Sequence, residues 1–243
     1  MEEPSKRTAL FVTCLVDQFF PKAGEASVRL LEQAGCHVEF PAEQTCCGQP
    51  AFNMGYREEA RELARRFIDI FSPFEAVVSP SGSCTSMVRV YYADLFEDDS
   101  VWRDKALDLA HRTFELTEFL NSRAFEPRST FEGKVTYHPS CHLLRELGVD
   151  EAPLKLLRQV PGVELVDLPD AEVCCGFGGA FSVKMSGLSE AMLDDKIKSV
   201  ESTGADVLTA TDCGCLMHLG GGLTRRGSRV QALHVAEILA GTY

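Results

Sequence analysis

Four cysteines recur in the same order in the two halves of this chain, and that repetition restricts its fold more than any other feature. "RTALFVTCLVD" and "GKVTYHPSCHLL" are β-rich runs ending at Cys14 and Cys141. Each half then reaches an adjacent pair, Cys46-Cys47 in "TCCGQPAF" and Cys174-Cys175 in "EVCCGFGGAF". A further cysteine follows a short apolar run, Cys84 in "AVVSPSGSC" and Cys215 in "DVLTATDCGC". The matched cysteines lie 127, 128, 128 and 131 residues apart, and the halves close on "LTEFL" around Glu118 and "VAEIL" around Glu237. Nearly constant offsets over four positions mark an internal duplication.

Within each half, short apolar runs alternate with helical patterns. Ala9–Thr13, His37–Phe40 and Ala76–Ser79 read as buried strands, as do Val135–Tyr137, Val163–Leu168 and Asp206–Thr209. In "YREEARELARRFIDIF", Ala60, Leu63, Ala64, Phe67 and Phe71 share one helical face. Leu193, Ile197 and Val200 do the same in the second half, with Gly204 as the stop. This alternation predicts an α/β fold: two tandem, duplicated domains, each a mainly parallel sheet covered by helices. Asp98–Arg123 reads as helical and joins the halves, with the boundary near residues 125–132. The expected domains are therefore residues 7–125 and 132–243.

Adjacent cysteines are poor disulfide partners, because Cα atoms about 3.8 Å apart fall short of the roughly 4.4–6.8 Å a disulfide spans. A net charge of -12 argues against nucleic acid or an anionic membrane as partner. No apolar run is long enough to span a bilayer, and "MEEPSKRTALFVTCLVDQ" lacks a signal-peptide pattern, so a cytoplasmic location is expected. In a reducing compartment, ten cysteines point to metal ligation or redox chemistry. Cys36, alone in "EQAGCHVEF", reads as a small buried hydrophobe.

Four thiolates suit a structural Zn²⁺ or an iron–sulfur cluster. Zinc sites usually use close C-x₂₋₄-C chelates, whereas these thiols are scattered and the only close pair is adjacent. Two neighbouring thiols reaching different irons fit that spacing, and Gly48, Gly176, Gly178 and Gly179 would let backbone N–H groups approach sulfur. A thiol–disulfide enzyme using the adjacent pairs is a third reading. His138 and His142, which flank Cys141, read as a ligand, a proton relay or supporting loop histidines. Lys184 reads as a counter-charge or a solvated helix-start lysine. "HLGGGLTRRG", residues 218–227, reads as a loop without a dinucleotide fingerprint.

"FVTCLVDQFFP", "CCGQPAFNMGY", "SPSGSC", "YHPSCH" and "CCGFGGAFSVKM" resemble the cysteine-rich CCG domain found in heterodisulfide reductase, and most closely the lactate-utilisation protein A family. The resemblance covers residues 7–241. It implies a cytoplasmic iron–sulfur subunit that acts with two partner subunits to oxidise L-lactate to pyruvate, with L-lactate as indirect electron donor. It also implies two cluster sites of the 4Fe-4S type, one per half: Cys14, Cys46, Cys47 and Cys84, and Cys141, Cys174, Cys175 and Cys215. Zinc remains the alternative occupant, in a scaffold without redox activity. The full CCG signature ends in C-x-x-C, but Ser81 and Asp212 stand at the first of those positions here. Five-thiol clusters are therefore not expected, and a Ser or Asp oxygen, or Cys213, is left as an additional donor.

Overall fold

The computed structural model describes residues 7–243, which divide into two compact units between Ala124 and Phe125. In the first unit, β1 (Arg7–Leu10), β2 (His37–Glu39), β3 (Ala76–Ser79) and β4 (Thr113–Glu115) form an all-parallel sheet in the order β2-β1-β3-β4. In the second, β5 (Gly133–Tyr137), β6 (Val163–Val166), β7 (Val207–Ala210) and β8 (Gln231–His234) repeat it as β6-β5-β7-β8. The central strands β3 and β7 are buried throughout, as expected of parallel strands covered on both faces.

The covering helices follow the amphipathic stripes. Arg57–Phe71 buries Ala60, Ala64, Phe67, Ile68 and Phe71. Ser186–Ser202 buries Ser189, Leu193, Lys196, Ile197 and Val200, each 129 residues further on. Phe11 seals the first core edge-on against Phe67 and Phe71, with ring centroids 4.7 and 5.6 Å away. Gly204, at φ +63°, follows the end of Ser186–Ser202 in the left-handed conformation that stops a helix.

Three expectations are corrected. The stretch 98–123 is not one helix: Ser100–His111 gives way to β4 and then to the helix Leu116–Ser122. Three residues are too few to show strand alternation, and β4 exists because β3 offers an edge at Val77↔Thr113 and Val78↔Phe114. The glycine-rich stretch 218–227 is not a loop but mostly helix, within Cys213–Arg225. Its glycines permit close packing: a Cβ on Gly222 would lie 2.4 Å from Ile197 Cδ1, and one on Gly220 would lie 2.9 Å from Ala232 Cβ. Cys36 is half-buried in the turn before β2 rather than fully buried.

Candidate metal centre

The strand order puts a crevice at the carboxyl ends of β1 and β3, where successive connections leave to opposite sides, and likewise at β5 and β7. Such switch points are where open parallel sheets bind ligands. Each cysteine follows a strand into this region. Cys14 opens the helix Cys14–Phe19 after β1, and Cys84 lies in the helix Gly82–Ser86 after β3. The adjacent pair sits in the segment after β2, whose Gln44 side chain pins it to the end of β1. Gln44 Oε1 accepts from Val12 N at 2.9 Å, and its Nε2 donates to Leu10 O at 3.2 Å.

In the first half Cys14 Sγ lies 3.8 Å from Cys46 Sγ and Cys47 Sγ lies 3.3 Å from Cys84 Sγ. In the second half Cys175 and Cys215 lie 3.3 Å apart, and Cys141 hydrogen-bonds with Cys174. Burial grades across each set: Cys14 is exposed, whereas Cys47 and Cys175 are buried. Gly48 N and Gly176 N each donate to the preceding pair's first sulfur, Cys46 or Cys174, at 3.4 Å. Both glycines have positive φ, the conformation that turns an N–H back onto its own loop. Gly178 and Gly179 instead form the turn that opens the helix Ala180–Lys184, where Phe181 N donates to Gly178 O at 3.2 Å. Tyr92, buried after a π-helical turn over Met87–Tyr91, donates to Cys47 O at 2.9 Å.

These donors set the charge state. Hydrogen bonds from Cys14 and Cys47, and from Gly48 N, hold the Cys46 thiol far below its ordinary range. Cys141, Cys175 and Gly176 do the same for Cys174. The partner thiols Cys14 and Cys141 are pushed up because each donates its proton to that neighbour. Cys47 and Cys175 are raised by donation to Cys46 and Cys174 and by burial. In each half the first thiol of the adjacent pair is thus the most acidic of its set, and a bound cation would draw protons from its neighbours.

Ser81 and Asp212 act as helix caps. Ser81 Oγ accepts from Cys84 N at 3.3 Å, and Asp212 Oδ1 accepts from Gly214 N at 3.0 Å. Cys213 is buried at the first residue of its helix, while the close thiol contact of Cys175 goes to Cys215. Lys184 is exposed on the surface. His142 Nδ1 lies 3.6 Å from Cys141 Sγ, and its Nε2 lies 3.9 Å from Glu146. His138 is 1% exposed directly after β5; one of its ring nitrogens lies within 4.8 Å of both Cys175 Sγ and Cys215 Sγ. Burial holds the His138 ring neutral, at about 4. Sequence reasoning did not reach Gln44, Tyr92 or Lys196. Lys196 was findable by superimposing the two helical stripes, which sets it against Phe67.

The donor chemistry fits a metal group: clustered soft thiolates, with a neutral imidazole in the second half, suit zinc or an iron–sulfur cluster.

Fold and thiol arrangement together define a duplicated cysteine-rich α/β protein. The model of the CCG family, "Cysteine-rich domain", matches residues 8–89 and 135–220. "Lactate utilization protein A" of Halalkalibacterium halodurans is 48% identical over 235 residues, covering 96% of each chain. "Lactate utilization protein A 2" of Bacillus cereus (strain Q1) is 50% identical over 236 residues, covering 96% of this chain and 98% of the relative. The chain belongs to the lactate utilization protein A family, built from two cysteine-rich domains. A solved structure of a hypothetical protein from Helicobacter pylori shares the fold, at TM-score 0.66 and 11% identity, over 98% of this chain and 49% of that one. No described helix is long and apolar enough to cross a membrane.

Proposed function

We propose that this chain is a cytoplasmic iron–sulfur electron-transfer subunit of a multi-protein system that oxidises L-lactate to pyruvate. The observation that carries the reading is the pair of thiol sets, each gathered at a sheet switch point with a glycine N–H aimed at a sulfur. The names of the relatives supply lactate utilization as the setting. Cys14, Cys46, Cys47 and Cys84 hold one 4Fe-4S-type cluster in residues 7–125. Cys141, Cys174, Cys175 and Cys215 hold the other in residues 132–243. A bound cluster supplies one-electron transfer. The protein's part is to hold and tune: Gly48 and Gly176 donate to thiolate sulfur, Tyr92 fixes the Cys47 carbonyl, and Ser81 and Asp212 anchor the helices carrying Cys84 and Cys215. Converting L-lactate to pyruvate releases two electrons and two protons. Partner subunits perform that chemistry, and this chain relays the electrons.

The test is anaerobic. Iron-loaded protein should be brown, and its visible absorption should bleach when L-lactate and the partner subunits are added, but with neither alone. Colour that persists in the complete mixture refutes the role. A second reading, a zinc-stabilised scaffold, is favoured by the mixed donor set His138, Cys175 and Cys215. It predicts stoichiometric zinc and no iron after strictly anaerobic purification.

A further inference from the structure

The two halves part company three residues before their first cysteines, at Phe11 and His138. The backbone equivalence there is close: Phe11 N donates to Val78 O and His138 N to Thr209 O, both at 2.8 Å. The side chains meet opposite surroundings. Phe11 packs on Phe67 and Phe71, and Ala60 lies in the same core. At the positions matching Phe67 and Ala60, the second half carries Lys196 and Ser189, both buried. Lys196 Nζ donates to the Asp170 and Ala171 carbonyls, just ahead of the cysteine pair. Ser189 Oγ donates to Gly176 O at 2.8 Å, just after that pair. Three apolar positions under one thiol set have become polar under the other.

The side chains of two of the three replacements have partners, and the His138 ring has none among the described residues. Both of its ring nitrogens are buried without a hydrogen-bond partner among the described residues. A buried polar group left without a hydrogen bond is costly to the fold. The first half shows that this fold accepts phenylalanine at the same place, so the fold does not demand an imidazole. A ring nitrogen within 4.8 Å of Cys175 Sγ and Cys215 Sγ points to what does.

We propose that His138 donates a ring nitrogen to the metal group of the second half, making a five-donor site with Cys141, Cys174, Cys175 and Cys215. The first half, with Phe11 in that place, binds through thiolates alone. The inference rests on reading the second thiol set as a metal site, and it makes the two sites inequivalent. The imidazole adds a neutral donor to an otherwise equal set of four thiolates, so the two sites differ in ligation and their potentials should differ.

The experiment uses the full chain, labelled with ¹⁵N-histidine, loaded with iron and sulfide anaerobically, and partly reduced. Pulsed EPR should show a histidine nitrogen bonded to a cluster. That coupling should vanish in His138→Phe, which copies the first half, and persist in His142→Asn, which removes the histidine beside Cys141. Redox titration should show two potentials in the wild type, one of which shifts in His138→Phe while the other stays. Loaded wild-type protein without a bonded nitrogen overturns the proposal and leaves the iron–sulfur reading standing, whether or not His138→Phe folds. A coupling that survives in folded His138→Phe overturns it as well. Protein that takes up no iron refutes the iron–sulfur reading instead. X-ray absorption of zinc-loaded protein then decides on His138: a nitrogen neighbour lost in His138→Phe supports it, and an all-sulfur shell overturns it.

Discussion

Gly48 and Gly176 occupy the same place in their halves, at φ +84° and +87°, yet their surroundings predict different costs for the same substitution. Alanine at either site must adopt the left-handed region, at about 1–2 kcal/mol. At Gly48 the added Cβ meets Leu63 Cβ at 3.4 Å and Ala60 O at 3.5 Å, which is ordinary contact, so the backbone term stands alone. At Gly176 it meets Met192 Cβ at 2.8 Å and Ser189 O at 2.9 Å. Both obstacles belong to the helix Ser186–Ser202 and sit at its backbone, where no flexible side chain can swing away. Overpacking of this kind adds about 1–3 kcal/mol. Gly176→Ala should therefore cost about 2–5 kcal/mol in all. Urea unfolding of the reduced, metal-free chain measures this without interference from cluster occupancy. The Gly176→Ala midpoint should fall clearly below that of Gly48→Ala, with its Gly176 N to Cys174 Sγ contact displaced. Equal losses, or a neutral Gly176→Ala, would refute the close packing of the second cysteine loop on its helix.

Burial raises the Glu115 carboxyl to about 7 from an ordinary 4.5. The folded state therefore holds a proton that the unfolded chain releases. The resulting stability is fully present below about pH 4.5 and is lost as pH rises through 7, about 3 kcal/mol at most. Glu115→Gln should flatten the melting temperature over that window, and an unchanged pH profile would contradict the assignment. Ser81→Ala and Asp212→Ala should each cost about 0.5–2 kcal/mol as lost helix caps while leaving metal content intact. Loss of iron with unchanged apoprotein stability would make them ligands instead. In the reduced metal-free chain, Cys46 and Cys174 should alkylate before Cys14 in mildly acidic buffer, despite the greater exposure of Cys14. Peptide mapping that finds Cys14 modified first would reverse the proposed charge order.

β1, β3, β5 and β7 were legible because each is a short, mostly buried run that stops within five residues of a thiol, and duplication made every such stop visible twice. β4 and β8 were not. They are short strands at a sheet edge, set by the neighbour that pairs with them rather than by their own pattern. The helix Cys213–Arg225 was hidden by its glycines, which report close packing against Ile197 and Ala232 instead of a turn. The grouping of the thiols could be anticipated from spacing, but their charge order could not, since it depends on which sulfur lies nearest which donor. Lys196 escaped notice because lysine is rarely buried, although Leu193, Ile197 and Val200 already outlined its stripe. His138 was visible as a histidine beside a cysteine. Only the burial of its ring without a hydrogen-bond partner among the described residues, at the position Phe11 holds in the first half, separates it from an ordinary loop histidine.

The central claim is that each half holds its own iron–sulfur cluster. The most direct measurement is EPR with iron and sulfide quantitation on anaerobically loaded protein, comparing wild type with Cys47→Ser and Cys175→Ser. The wild type should carry on the order of four iron and four sulfide per site, with two distinguishable signals. Each variant should lose a different one of those signals, together with about half of the iron. Wild-type protein that binds zinc but no iron, or two variants that lose the same signal, would contradict the account.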